Sequence, residues 1–357
     1  MIKSLKLLNF RQFKKRVFEF NKNIIVVIGK NTRGKSSLLE AIYYLTTGNS
    51  PWSENKDIFN IDDNYFRIEA LVEEEGHENT FAIYRDDAKR NYQIDGKNTS
   101  TTRFFKRFGA TIFSPEQIEI LLISPSKRRE FLDDSLKRID PIYKEQLDKY
   151  KKLLRHRNSY IKKLSKNFYE TGVIPPYDNQ IKYWSEELGK VSARLLQIRN
   201  EYLHMLKDED FRMEYISSLE LETFEELMTP ESLAKMYSEA FVKSFKKDVA
   251  LSHTNIGAHR DDWNIITSKD VKRFGSRGEK RLAIIKLMYL THKVYTQKKG
   301  FKPILMLDDI PSELDDDNIK KIFKSEIFNE QQTFITAIRE DEIPEEIISQ
   351  AQVIYLD

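Results

Sequence analysis

Ile24-Ile25-Val26-Val27-Ile28-Gly29-Lys30-Asn31-Thr32-Arg33-Gly34-Lys35-Ser36-Ser37 runs five apolar residues directly into the pattern GxxxxGKS. The apolar run, bounded by glycine, reads as a buried strand, and Leu38, Leu39, Ile42 and Leu45 after it read as the apolar face of a helix. A strand that stops at Gly29 and resumes as a helix after Gly34 leaves a loop of unpaired backbone N–H groups. Such groups face anions. Gly29 and Gly34 let the backbone curl without Cβ clashes, Lys35 has the reach for β- and γ-phosphates, and the Ser36 hydroxyl suits one Mg²⁺ position. Gly29, Lys30, Asn31, Thr32, Arg33, Gly34, Lys35, Ser36 and Ser37 therefore form the candidate ATP loop; a purely structural glycine turn is the other reading.

The rest of the composition narrows the class. A chain of 357 residues exceeds what one core usually fills, so two domains are expected. Cysteine is absent, which excludes a disulfide framework and a thiolate metal site and fits a reducing, cytoplasmic setting. The opening MIKSLKLLNF lacks the long apolar core of a signal peptide, and no later run approaches a membrane span. A net charge of +3 decides nothing alone, because 32% of the residues are charged and their placement matters more.

Alternation in SLKLLNF and RVFEF predicts two strands over residues 4 to 28 before the IIVVI run, and FRIEALVEEE, NTFAIYRDD and RNYQIDGK predict an antiparallel meander turned at Glu75-Gly76 and Asp95-Gly96. From Ser124 the period becomes helical. Ser124-Pro125 and Asp140-Pro141 each pair an N-cap with proline at the first helical position. Tyr143, Leu147, Tyr150, Leu154, Ile161 and Leu164 follow steps of four and three with Arg157 interrupting, and Ile181, Trp184, Leu188, Val191, Leu195, Ile198, Tyr202 and Met205 repeat the spacing. Two such helices joined near Pro175-Pro176 predict an antiparallel coiled-coil hairpin, with two ordinary amphipathic helices in a bundle as the alternative. After Leu251, WNIIT, PILML, QTFITAI and QVIYLD alternate with helices opening near Gly278 and Asn318, which predicts a parallel sheet with crossovers. The expected architecture is an α/β P-loop ATPase core split into residues 1–123 and 251–357, interrupted by an all-helical arm over 124–250.

Hydrolysis asks more than a P-loop, namely a carboxylate for the Mg²⁺ shell and another to orient water. PILMLDD supplies a buried strand ending in Asp308, placed for Mg²⁺, and Asp309, nearer an attacking water; acids at strand ends also serve as helix caps. Roughly thirty residues earlier, Gly275-Ser276-Arg277-Gly278-Glu279 opens a helix as a second candidate phosphate nest. A second nest makes sense if it reaches a triphosphate held by another copy of the chain, so that ATP joins two protomers. A capped helix with a glycine entry is the plainer reading.

The order P-loop, helical insertion, SRGEKR, PILMLDD, SELD resembles the ABC-type ATPases of the SMC group, and finer details resemble the RecF family of bacterial recombination mediators. Those details are Asn9-Phe10-Arg11, Leu39-Glu40-Ala41-Ile42-Tyr43-Tyr44, Phe113-Ser114-Pro115-Glu116, Ser124-Pro125-Ser126 with Arg128-Arg129 and Phe131-Leu132-Asp133, Tyr150 with Arg157-Asn158, and Gly257 to Asp262. The resemblance implies that Ser276, Gly278 and Glu279 stand for the signature motif, Ser312 to Asp315 for the D-loop, Arg11 for an arginine near the nucleotide, and Gln117 for a Q-loop residue touching the Mg²⁺ shell. Three departures accompany it. Arg277 replaces the first signature glycine, Asp309 replaces the usual glutamate, and the P-loop keeps Asn31 but loses one glycine. The shorter carboxylate predicts slow, DNA-stimulated turnover, and Thr336-Ala337-Ile338 lacks the histidine of transport ATPases.

Residues 126 to 163 carry thirteen lysines and arginines against six acids. Among them, Lys127, Arg128, Arg129, Lys152 and Arg155 are the expected contacts to duplex or gapped DNA, made through phosphates without base readout. A solvated face with helix-stabilising ion pairs is the competing interpretation. The resemblance further implies an ATP-dependent homodimer and RecO- and RecR-like partners, with no membrane role.

Overall fold

The computed structural model describes residues 1–52, 58–60, 63–74, 76–106, 108–115, 122, 124–219, 229–309 and 331–356. Gln117, the Ser312 to Asp315 stretch and the helix expected from Asn318 lie outside them. The strands are β1 Ile2–Phe10, β2 Phe13–Glu19, β3 Ile24–Ile28, β4 Tyr65–Glu74, β5 His77–Asp86, β6 Arg90–Ile94, β7 Lys97–Asn98, β8 Ala110–Phe113, β9 Arg212–Ile216, β10 Asp262–Ile266, β11 Ile304–Leu307, β12 Thr333–Ala337 and β13 Gln352–Tyr355. The helices are α1 Lys35–Thr47, α2 Thr101–Phe104, α3 Pro125–Ile139, α4 Pro141–Thr171, α5 Asn179–Met205, α6 Pro230–Leu251, α7 Val271–Phe274, α8 Arg277–Lys299 and α9 Glu345–Ile348. They divide into two compact units, Met1–Gln117 with Tyr295–Asp357, and Ile118–Val294.

In the first unit β3 is buried along its whole length because it lies inside a parallel sheet of order β13-β3-β12-β11-β8. Every residue of β8, β11 and β12 is buried as well, so these runs read as continuous rather than alternating apolar sequence. The amino-terminal strands and the meander instead form a second, antiparallel sheet of order β2-β1-β4-β5-β6-β7, whose strand β4 alternates buried and half-buried residues as a one-sided sheet should. Gly76 and Gly96 turn its hairpins with φ of +79° and +73°. One apolar core joins the two sheets around α1, which is buried nearly all round, with Ala41, Tyr43 and Tyr44 inside as well as the four residues of the expected face. Tyr44 and Phe10 both meet Phe66 edge to face, and Phe20 meets Phe334 in the same way.

The second unit is built on α4 and α5, which form the expected hairpin, each capped at its start by an aspartate. Asp140 accepts from the N–H groups of Ile142 and Tyr143, and Asp178 from those of Gln180 and Ile181. A third helix, α6, packs against both, so the seam is that of a bundle rather than of a two-helix coiled coil. Leu233, Tyr237, Phe241, Phe245 and Val249 give α6 its buried stripe.

Two expectations need correction here. The inserted segment is not all helical, because β9 lies within it. WNIIT does not join the parallel sheet: as β10 it pairs antiparallel with β9, Trp263 opposite Tyr215. Its buried partner is α3, whose Arg128 forms a bidentate pair with Asp262 while the Trp263 indole N–H donates to the Arg128 carbonyl. Leu251 to Val294 accordingly belong to the second compact unit rather than to the first, which the expected split had assigned them to.

Candidate functional site

The carboxyl ends of β3, β11 and β12 are neighbours in one parallel sheet, the edge at which open α/β sheets receive ligands. What leaves those strands is the loop from Gly29 to Gly34, Asp308-Asp309, and Thr336 to Ile338. Lys35 opens α1 and is buried, its ammonium donating to the Gly29 carbonyl at 2.7 Å and lying 3.8 Å from Asp309 Oδ1. The Ser36 hydroxyl donates to Asp308 Oδ1 at 3.2 Å, and the Thr336 hydroxyl donates to the same oxygen at 2.7 Å. The N–H of Asp309 donates in turn to Thr336 Oγ1 at 2.9 Å, with Asp309 itself at a φ of +48°. Of the expected site residues, then, Gly29, Lys35, Ser36, Asp308 and Asp309 meet at one place. Lys30, Asn31, Thr32 and Arg33 form the exposed crest of the loop beside it, and Ser37 follows on α1.

The loop's geometry explains its glycines and exposes one anomaly. Gly34 has a φ of +98°, and a Cβ there would come within 2.6 Å of both Gln12 and Phe13. A Cβ on Gly29 would approach the Leu356 carbonyl to 2.9 Å. Thr32 stands where the related loops carry a further glycine, and its φ is +71°, a left-handed conformation that a β-branched residue adopts only under strain. Relieving such strain is worth roughly 1–3 kcal/mol, against roughly 0.5–1 kcal/mol for glycine's greater freedom in the unfolded chain. Thr32→Gly should therefore raise the urea midpoint by the equivalent of about 1 kcal/mol, whereas Thr32→Ala, which keeps the Cβ, should not. Equal midpoints for the two variants would remove strain as the explanation.

Arg11 is positioned from α1. It makes two bonds to the buried Glu40 carboxylate, Nε to Oε2 at 2.6 Å and Nη2 to Oε1 at 2.8 Å, and the β1–β2 turn holds it at a φ of +52°. The residue that reaches the loop from this turn is Gln12, whose side-chain amide donates to the Thr32 carbonyl at 3.2 Å. Sequence reading missed both Gln12 and the role of the Thr336 hydroxyl. A positive-φ turn next to a motif arginine and a hydroxyl closing an apolar strand are weak signals, and neither has a period to betray it.

Ser276, Gly278 and Glu279 begin α8 as a reciprocal cap: the Ser276 N–H donates to Glu279 Oε2 at 2.7 Å and the Glu279 N–H to Ser276 Oγ at 3.3 Å. Lys269, at 2.8 Å, and these cap bonds hold the Glu279 carboxyl down at about 2. A Cβ on Gly278 would meet nothing within 4 Å, so the glycine leaves open space at the helix start. The arrangement matches the plainer reading of the sequence, a capped helix, while keeping its entry accessible.

The five expected DNA contacts separate. Lys152 and Arg155 are exposed on α4 and, like Lys144, Lys149, Lys151, Lys162 and Lys163, make no ion pair among the described residues. Lys127 is exposed but paired with Glu130 at 2.8 Å, and Arg129 is half-buried, donating to the Asp261 carbonyl. Arg128 must be withdrawn. It is 2% exposed and locked to Asp262, so its charge is internal to the unit. Arg128→Ala should destabilise the protein by about 2–3 kcal/mol, below the usual 3–5 because Asp262 keeps some exposure, and leave the salt dependence of nucleic-acid binding unchanged. A flattened slope in the folded variant would restore it to the contact surface.

The Gly257 to Asp262 stretch is shaped by polar burial. Arg199 donates to the Ala258 carbonyl, to Tyr143 and to Asp133; the Tyr215 hydroxyl and the Ser218 N–H bond the buried Asp261, whose carboxyl burial pushes upward. His259 sits between the Tyr150 hydroxyl and the Thr254 carbonyl, and burial lowers it to about 4. Neutral at physiological pH, it acts as a strut, and Arg260 beside it stays exposed. Among the described residues no group of His, Cys, Asp or Glu gathers to hold a metal, and no helix is long and apolar enough to cross a membrane.

Residues 1–354 match the family model described as the RecF/RecN/SMC N terminal domain. A DNA replication and repair protein RecF from Caldanaerobacter subterraneus is 33% identical over 92% of this chain and 91% of its own, and one from Natranaerobius thermophilus is 31% identical over 92% and 89%. A solved structure of the recombination mediator protein RecF-ATP in the RecFOR pathway superposes with a TM-score of 0.82 at 30% identity, covering 96% of this chain and 93% of that one. With the parallel sheet, the loop and the acidic strand end in the same order, the fold is the ABC-type ATPase fold, and the chain belongs to the RecF family within the wider RecF/RecN/SMC group.

Proposed function

We propose that this chain is an ATP-dependent DNA-binding protein of recombinational repair, in which ATP pairs two copies on duplex or gapped DNA and slow hydrolysis releases them. The observation that carries the reading is the meeting of Lys35, Ser36, Asp308 and Thr336 at the carboxyl edge of the parallel sheet, next to a loop of free N–H groups. The bond from Lys35 to the Gly29 carbonyl keeps the ammonium at the loop's centre, ready to exchange that oxygen for a phosphate's. Oxygen donors from Ser36 and Asp308 suit Mg²⁺, which when bound there neutralises phosphate charge; Gln117 is proposed to complete the set. Asp309, held by Thr336, orients the attacking water. The open entry of α8 at Gly278 faces the second copy's triphosphate, and the unpaired cations of α4 take the DNA phosphates. RecO- and RecR-like proteins are the proposed partners, in keeping with the pathway to which the RecF-ATP structure is assigned.

A second reading, a nucleotide-binding adaptor with little turnover, is favoured by one observation: Asp309 is a short carboxylate, fixed at a φ of +48° and drawn toward Lys35. One set of measurements tests both. Sedimentation with ATP, ADP or no nucleotide should give dimer only with ATP, and phosphate release should rise on adding duplex. Monomer under all three conditions overturns the clamp, and dimer without release selects the adaptor.

A further inference from the structure

We propose that His156, Trp184 and Tyr183 form a stacking shelf for unpaired nucleobases, a single-strand subsite on the helical arm. It rests on the DNA-binding reading above and adds a second class of substrate to it. His156 of α4 and Trp184 of α5 stack face to face, with ring centroids 5.0 Å apart and planes inclined by 11°. Tyr183 meets the same indole edge-on at 5.0 Å and leaves 56% of itself in solvent. Three rings held together at a surface, with a tyrosine standing proud of them, are costly to leave wet and offer a ready face to a planar base.

The charges around the shelf fit the same ligand. Lys152, Arg155, His156, Ser159 and Lys163 recur at helical spacing along one exposed stripe of α4, and its three cations make no ion pair among the described residues. Lys182 adds a further exposed cation next to Tyr183. Acids are present but partly committed: Glu187 is tied to Lys190 at 2.7 Å, while Asp148 and Glu186 remain at the margins. Aromatic rings beside an unpaired row of cations are how proteins grip single strands without reading sequence, the backbone on the charges and the bases on the rings. A duplex, with its bases already stacked, could use only the cations.

Fluorescence anisotropy of the full chain with labelled oligo(dT), an abasic strand of equal length and a duplex tests this. Oligo(dT) should bind more tightly than the abasic strand. Tyr183→Ala and Trp184→Ala should each weaken oligo(dT) about tenfold or more and leave duplex binding unchanged, with Trp184→Phe restoring most of the loss. Lys152→Glu with Arg155→Glu should weaken both ligands. If wild type does not distinguish oligo(dT) from the abasic strand, or if the exposed Tyr183→Ala variant binds oligo(dT) as wild type does, the shelf is overturned. Duplex binding that ignores ATP would instead count against the clamp, independently of the shelf.

Discussion

Replacing Arg157 by alanine should lower unfolding free energy by about 3–5 kcal/mol and the melting temperature by roughly 10 °C. The guanidinium is completely buried in the second unit. It donates to Asp248 at 2.8 Å, to Thr254 at 2.7 Å and to Ser185 at 3.1 Å, and it lies over the Phe241 ring at 4.6 Å. These partners come from α5, α6 and the loop after α6, so one side chain ties the bundle together. Removing it leaves the Asp248 carboxylate buried with only Ser244 and Asn255 to solvate it. Lys152→Ala, five residues earlier on the same helix but exposed, should change stability by less than about 0.5 kcal/mol. Joining Arg157→Met to Asp248→Leu should recover most of the loss, because it is the orphaned charge rather than the missing bond that destabilises. If the single variant melts with wild type, the bundle does not depend on the pair.

Arg157 also shows where sequence is legible and where it is not. A charged residue at an otherwise apolar helical position interrupts the period of α4, and that interruption was visible in the sequence. Its meaning was not, since Asp248 lies 91 residues away and Asp262, the partner of Arg128, lies 134 residues away. Charge counting treats all thirteen cations of the 126 to 163 stretch alike, whereas burial removes Arg128 and Arg157 from the surface. By contrast, β3, the P-loop and α1 are readable because strand, loop and helix are consecutive and each has its own period. Strand β10 illustrates the middle case. Five apolar-rich residues announce a strand but do not say which neighbour completes it, and only the fold brings Trp263 to α3.

The second large effect belongs to Asp309. Asp309→Asn should reduce phosphate release on the order of a hundredfold while leaving nucleotide affinity within a small factor, since positioned carboxylates acting on water contribute about 10²–10⁴ to rate. The substitution keeps the size and the backbone N–H that donates to Thr336, so the strand end should hold its shape. What it removes is the negative charge 3.8 Å from the Lys35 ammonium, and with it the group able to accept a proton from water. If hydrolysis is the release step, the variant should accumulate as ATP-bound dimer and stay on DNA after wild type has left. Asp309→Glu points the other way: a longer arm reaches further from the same strand end and should speed turnover, provided the left-handed backbone at φ +48° tolerates it. Should Asp309→Asn release phosphate at the wild-type rate, the water is oriented elsewhere, and the shortened carboxylate can no longer account for slow turnover.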